Sequence, residues 1–173
     1  MAIYHFSAKV ISRGDGRSAV AAAAYRSASE LQDDRLGRAH DFTAKTGVVH
    51  SEILMPGDAP VRLLDRVTLW NEVEACEKRK DAQLAREVEF ALPREISQEQ
   101  GVALARDFVR TEFVNQGMVA DLNVHWDFDA AGQAKPHAHV MLTMREVSED
   151  GFGKKVREWN ATSELTGWRE RWA

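Results

Sequence analysis

An α+β fold, with a five-stranded antiparallel sheet and helices packed on it, is predicted by three features of this 173-residue sequence. Five segments read as strands. About four read as helices, and they interrupt the strands in mixed order instead of alternating strictly with them. Two of the strands, "MVADLNVHWDFD" and "KPHAHVMLTMR", are separated only by the turn-forming "AAGQA", which makes them an antiparallel hairpin. In this reading the helices lie against one sheet face and leave the other free for a site.

The elements follow in order. "AIYHFSAKVI" alternates loosely and reads as the first strand, Tyr4 included. "GDGRSAVAAAAYRSASELQ" reads as a turn and then a helix, because alanine is the strongest helix former and Ser18 suits an N-cap. Residues 33–47 are polar and turn-rich, a loop. "VVHSEILMP" reads as a strand ended by Pro56 and Gly57. "PVRLLDRVTLWNEVEACEKRK" has apolar spacing near 3.6 and ends in Lys78, Arg79 and Lys80, where a helix dipole favours cations. "REVEFALP" is a strand stopped by Pro93. "SQEQGVALARDFVRTEFVNQG" is a helix: Ser97 and Gln100 match a capping box, and Gly117 stands where a C-terminal glycine belongs. The final "WNATSELTGWRERWA" reads as helical, with Leu165, Trp168 and Trp172 on one face.

Composition excludes several classes. The single cysteine, Cys76, rules out a disulfide or a Cys-based zinc site within one chain and suits a reducing, cytoplasmic setting. The first residues do not read as a signal peptide, and no run approaches the ~18 apolar residues of a membrane span, so no membrane insertion is expected. The net charge of −4 argues against a generic nucleic-acid coat. Charge is uneven, however. Lys9, Arg13, Arg17 and Arg26 face only Asp15 in the first 26 residues. A local basic patch on an acidic body suits a site that grips phosphate at one place.

The chemistry-bearing pattern is histidine. On a strand His137 and His139 share a face, with Cα atoms roughly 6.5–7 Å apart, a spacing at which two imidazoles can converge on one ion. Alone, the pair suits two solvated strand residues equally well. A hairpin turn centred on Ala131 or Gly132 adds a third, placing His125 opposite His137 or His139 on the same face. Three histidines leave coordination positions open, as catalytic metal sites do. Glu87 and Glu89 share one face of "REVEF" and can orient an imidazole, or simply be solvated; Asp127 is a weaker candidate for that role. His5, His40 and His50 read as structural or surface residues. Strand parity puts Lys135 and Arg145 on the histidine face, where they can hold phosphates. Arg13 and Arg17 flank a glycine-containing turn and are candidates for contact with a phosphate backbone, or ordinary solvated arginines. Tyr25 is one of two tyrosines. Beside a polarised phosphate it can act as a nucleophile; on an alanine-rich helix it also suits packing.

"AIYHFSAKVISR…GRSAVAAAAYR", "REVEFALP" and "HWDFDAAGQAKPHAHVMLTMR" together resemble, in order and spacing, the three motifs of plasmid mobilisation relaxases of the MobA/MobL type, within the wider HUH endonuclease group. The resemblance spans nearly the whole chain. It implies an HUH-relaxase-like fold, Tyr25 as nucleophile, and His125, His137 and His139 as ligands of one divalent ion, manganese or magnesium. It also puts Glu87 and Glu89 at the active centre, without saying which acts. The implied reaction is a transesterification: Tyr25 takes the 5′ phosphate of one strand at an origin of transfer and frees a 3′ hydroxyl, starting conjugative transfer. Single-stranded origin DNA and other conjugation proteins are the implied partners. Three rivals remain: a rolling-circle replication initiator, a hydrolase using activated water, and a non-catalytic DNA-binding module. The position of Tyr25 ahead of the histidines favours the relaxase over the initiator.

The segment 1–173 reads as one nicking domain, and the amphipathic "ELTGWRERWA" suggests the N-terminal part of a longer protein. No GxxxxGK[ST] loop occurs in the sequence, so duplex unwinding is not expected of it.

Overall fold

The computed structural model describes residues 5–173; Tyr4, assigned above to the first strand, lies outside them. Five strands form one antiparallel sheet: β1 (Phe6–Ser12), β4 (Val48–Leu54), β5 (Gln83–Ala91), β6 (Ala120–Phe128) and β7 (Ala134–Leu142), in the order β1-β5-β7-β6-β4. These are the five segments expected from the sequence. The β6–β7 turn centres on Ala131: His125 pairs with His137, and Phe128 with Ala134. Asp129 holds that turn by accepting from the backbone N–H groups of Ala131 and Gln133.

Alternation in β6 explains the architecture. Leu122, Val124 and Trp126 point to one face, and Asp121, Asn123, His125 and Asp127 to the other. The apolar face joins Val88, Phe90, Ala138 and Val140 in a buried cluster with α3 (Gln98–Glu112) and α4 (Thr162–Trp172). The capping box of Ser97 and Gln100 starts α3 as expected. Gly117 (φ 108°) follows the short helical turn after α3. Gly101 of α3 lies against the Trp126 ring, where a Cβ would come within 2.8 Å of the indole. In α4, Trp168 is buried while Leu165 and Trp172 pack on the same cluster.

The expectation of one uncovered face does not hold. α1 (Ala19–Ser27) and α2 (Arg66–Ala75) cover much of the polar face, where Ala19, Val20, Ala23, Leu69 and Trp70 bury against Ile11, Ala85 and Met141. Small alanines let α1 lie close to the strands. Asp121, fully buried, anchors α2 by accepting two hydrogen bonds from the Arg66 Nε and Nη2 groups at 2.9 Å and one from Trp70 Nε1 at 2.8 Å. Only the far end of this face, with the histidines, is left for a site.

Four boundaries differ from the sequence reading. α1 stops at Ser27, because Ala28 turns left-handed (φ 53°), and residues through Gln32 enter a hairpin. That hairpin, β2 (Glu30–Asp33) with β3 (Arg38–Asp41), occupies part of the expected loop; Asp33 and Gly37 (φ 66°) close its turn. α2 ends at Ala75, short of Lys78, Arg79 and Lys80; Arg13 instead donates to the carbonyls of Glu74, Glu77 and Arg79. The last sheet strand ends at Leu142, and Arg145 opens a separate hairpin, β8 (Arg145–Ser148) with β9 (Gly151–Lys155). Among the described residues no helix is long and apolar enough to cross a membrane.

Candidate metal centre and tyrosine helix

His125 on β6 and His137 and His139 on β7 converge, with one ligand atom from each within 4.8 Å of the others. The ring centroids are 4.4–5.2 Å apart. Sheet register produces this: His125 and His137 are direct partners, and His139 follows two residues along the same face.

Backbone carbonyls fix two of the rings. His125 Nε2 lies 2.9 Å from the Arg26 carbonyl, and His137 Nδ1 lies 2.9 Å from the Lys135 carbonyl. A carbonyl only accepts, so those nitrogens carry the protons. The opposite nitrogens, Nδ1 of His125 and Nε2 of His137, keep their lone pairs for a ligand. His139 is 4% exposed, and its Nδ1 has no hydrogen-bond partner.

Two of the imidazoles, His125 and His139, are held neutral. Burial pushes His139 down to about 2, helped by the positive charges of Arg26 and Lys45 and by the neighbouring histidines. Burial likewise pushes His125 down to about 4; the Arg26 carbonyl opposes this, while Lys45 and His137 add to it. Three imidazole donors, with a buried unpartnered nitrogen on His139 among them, fit a divalent metal ion. The donor set suits manganese better than magnesium, which prefers oxygen.

The two acids of β5 divide their work. Glu89 pairs with His139 across the sheet, its Oε2 3.9 Å from His139 Nδ1, and it is 36% exposed. Glu87 is buried and forms ion pairs with Arg26 and, at 3.6 Å, Arg17. It thus ties both ends of the α1 region to the sheet. Asp127 Oδ2 lies 3.8 Å from His137 Nε2. Asp127 also fills the space over Gly47 (φ 96°), where a Cβ would meet its carboxylate at 2.2 Å.

Tyr25 sits in the last turns of α1, 43% exposed, next to the residue whose carbonyl holds His125. Ser18 caps that helix, accepting from Ala21 and donating to the buried Asp33. Phe42 meets the Tyr25 ring edge-on at 5.2 Å between centroids. Lys45 Nζ lies 3.9 Å from the ring centroid and donates to the Tyr25 carbonyl at 3.1 Å. Sequence spacing does not single out Arg26 or Lys45. Arg26 could have been flagged by its adjacency to Tyr25, whereas Lys45 lies in a segment read only as loop.

The expected basic contacts separate into two groups. Arg17 is partly exposed beside Glu87, and Lys135 is exposed along an open groove of about 490 Å³ lined also by His5, Glu89, Arg94 and His137. Arg13 is locked onto Glu74 at 2.6 Å and the α2 carbonyls. Arg145 pairs with Glu77 at 3.0 Å and the Gly153 carbonyl at 2.8 Å, because its strand has already left the histidine-bearing sheet. Neither reaches the cluster. His40 pairs with Asp33 and His50 with Glu52, structural roles as expected; His5 is exposed.

Residues 17–173 match the family described as the MobA/MobL family. The conjugal transfer protein TraA of Agrobacterium fabrum is 49% identical over 90% of this chain, and the mobilization protein MobL of Acidithiobacillus ferridurans is 42% identical over 91%. The matched region is 14% of the former and 47% of the latter, so the chain spans only part of these relatives. A solved structure from work on the molecular basis of vancomycin resistance transfer in Staphylococcus aureus superposes with a TM-score of 0.90. It is 35% identical, and the match covers 99% of this chain and 89% of that one. The chain belongs to the MobA/MobL family.

Proposed function

We propose that this chain is the nicking unit of a conjugative DNA relaxase, an HUH-type endonuclease and strand transferase acting on single-stranded DNA at a plasmid origin of transfer. The observation that carries this is the convergence of three imidazoles from two paired strands, beside the end of the helix that bears Tyr25. The names of the relatives, conjugal transfer and mobilization proteins, support the setting. Other conjugation proteins are the proposed partners, and the cytoplasm is the proposed location.

His125, His137 and His139 would hold one divalent ion, Mn2+ or Mg2+, which when bound supplies Lewis-acid neutralisation of charge on a phosphate. The chain's own groups do the rest. Tyr25 Oη attacks the phosphorus, the bond to the 3′ oxygen breaks, and the phenol's proton leaves with that oxygen as a 3′ hydroxyl. The phosphate remains as an ester between Tyr25 and the 5′ end, so no external energy source is consumed and the step can reverse. Glu89 is the proposed carboxylate that supports the His139 imidazole through its charge; Glu87 keeps α1 against the sheet through Arg26. Arg17 and Lys135 are the proposed phosphate contacts.

The test is nicking of a single-stranded origin oligonucleotide with added metal. Tyr25→Phe should abolish cleavage and the covalent adduct while leaving DNA affinity within about twofold, because the ring still packs. A covalent adduct in that variant would move the nucleophile elsewhere. Cleavage without any adduct in the unsubstituted protein would favour hydrolysis by water, and binding without cleavage a DNA-binding module.

A further inference from the structure

We propose that Lys45 is a positioning residue for the Tyr25 nucleophile: its ammonium, with Phe42, clamps the phenol ring in one attitude beside the histidine cluster. This rests on the reading of Tyr25 given above. The need for a clamp follows from exposure. Tyr25 is close to half exposed at the end of a nine-residue helix, and an exposed ring is free to change rotamer on the nanosecond scale.

Two side chains from one turn restrict it. Phe42 presents an edge at 5.2 Å, and Lys45 sits over the ring at 3.9 Å, well within cation–π reach. The turn is itself fixed to the helix end. Lys45 N–H donates to the Phe42 carbonyl at 3.0 Å, and Phe42 N–H donates to the Ser29 carbonyl at 3.0 Å. Lys45 Nζ also donates to the Tyr25 carbonyl, which otherwise receives only a long bond of 3.4 Å from Ala28. One ammonium therefore fastens both the backbone and the ring of the same residue. Arg26 also lies 5.2 Å from the ring, but its guanidinium is engaged by Glu87, so it cannot substitute. The β2–β3 hairpin leads directly into this turn, which gives a structural purpose to a segment that lies between α1 and β4 in the chain.

Rates depend steeply on such positioning, since a misplacement of about 1 Å can cost about 100-fold. The experiment compares Lys45→Met, which keeps the stem without the charge, with Lys45→Arg, which keeps charge, donor and ring stacking. Nicking of a single-stranded origin oligonucleotide gives kcat and KM. Lys45→Met should lower kcat about tenfold or more with KM for DNA within about twofold, and Lys45→Arg should recover most of the loss. A second readout needs no activity. The chain has two tyrosines, so 3-fluorotyrosine labelling gives two fluorine resonances, and Tyr25→Phe assigns one of them to Tyr25. Lys45→Met should move that line and leave the other in place. An unmoved line with unchanged kcat overturns the clamp. A raised KM at constant kcat overturns it too, making Lys45 a DNA contact. Absence of a Tyr25 adduct in the unsubstituted protein would overturn the nucleophile and the proposal with it, a failure separate from that of Lys45.

Discussion

The two faces of β6 are made by the same nine residues and do opposite things. Leu122, Val124 and Trp126 enter an aromatic-rich layer with Phe90, Phe108, Phe113 and Trp168, where the rings meet edge-on at 5–6 Å. Asp121, Asn123, His125 and Asp127 form a polar row on the other side. Its inner end is consumed by structure, Asp121 gripping Arg66 and Trp70. Its outer end carries the candidate metal ligand His125. Stability and chemistry are thus separated by strand alternation, not by distance along the chain. The polar row is tolerated in a buried strand because its inner members are hydrogen-bonded and its histidine is uncharged.

If the separation is real, the largest stability effect comes from the aromatic face. Phe90 is fully buried and touches Phe6, Phe108 and Trp172. Phe90→Ala should cost about 3–5 kcal/mol in urea unfolding, while the folded fraction keeps its manganese affinity. A lost metal site in folded Phe90→Ala protein would show that the two faces are coupled.

The reverse experiment acts on the other face. His137→Ala or His139→Ala each removes one of three ligands. Manganese affinity by calorimetry should fall by more than the roughly 10–100-fold typical of losing a supporting residue around a metal. Equal affinity in both variants and the unsubstituted protein would sink the three-histidine site.

Much of this contrast was legible in the sequence, for a physical reason. Strand alternation has a strict period of two, so "NVHWDFD" and "KPHAHV" declare which residues share a face once the turn is placed at Ala131. Capping pairs are equally local, and Ser18 and Ser97 were readable for that reason. What could not be read was set by partners distant in sequence. Arg13 is tied to the end of α2 by carbonyls more than sixty residues away. Arg145 was assigned to the histidine face by extending a strand that stops three residues earlier. The covering of the polar face by α1 and α2 depends on alanine-lined close approach, which a pattern of small residues permits but does not announce. The division between Glu87 and Glu89 depends on Arg26 reaching one and not the other.

Acid should expose the same contrast with a smaller effect. In the metal-free protein His125 and His139 have folded values near 4 and 2, against an ordinary value of about 6.5 when unfolded. The unfolded chain therefore binds more protons, and stability falls as pH drops below about 6.5. The loss continues until the folded values are reached. By pH 5 it should amount to about 1–2 kcal/mol for each histidine. Urea midpoints at pH 7 and pH 5 measure it, and His139→Gln should remove about half. A flat profile would mean that the rings are charged, or wet, in the folded state.

The finest comparison lies within one strand, between two acids on the same face of β5. Glu87 is 6% exposed and holds Arg26, whose carbonyl in turn holds His125; Glu89 is 36% exposed and faces His139 directly. Replacing either by glutamine keeps the volume and removes the charge. In Glu87→Gln two arginines lose their anion. Both are partly solvated, which limits the loss to about 1–2 kcal/mol of stability. Metal affinity should change little, because the Arg26 carbonyl stays in place. In Glu89→Gln the carboxylate leaves solvent-facing space, so stability should stay within about 0.5 kcal/mol. Manganese affinity should fall about tenfold, since a carboxylate charge beside a ligating imidazole raises its basicity and glutamine removes that charge. Paired urea and calorimetric titrations on the two variants separate the roles. If Glu87→Gln weakened manganese and Glu89→Gln did not, the acid serving the histidines would be Glu87, acting through the Arg26 carbonyl and not across the sheet.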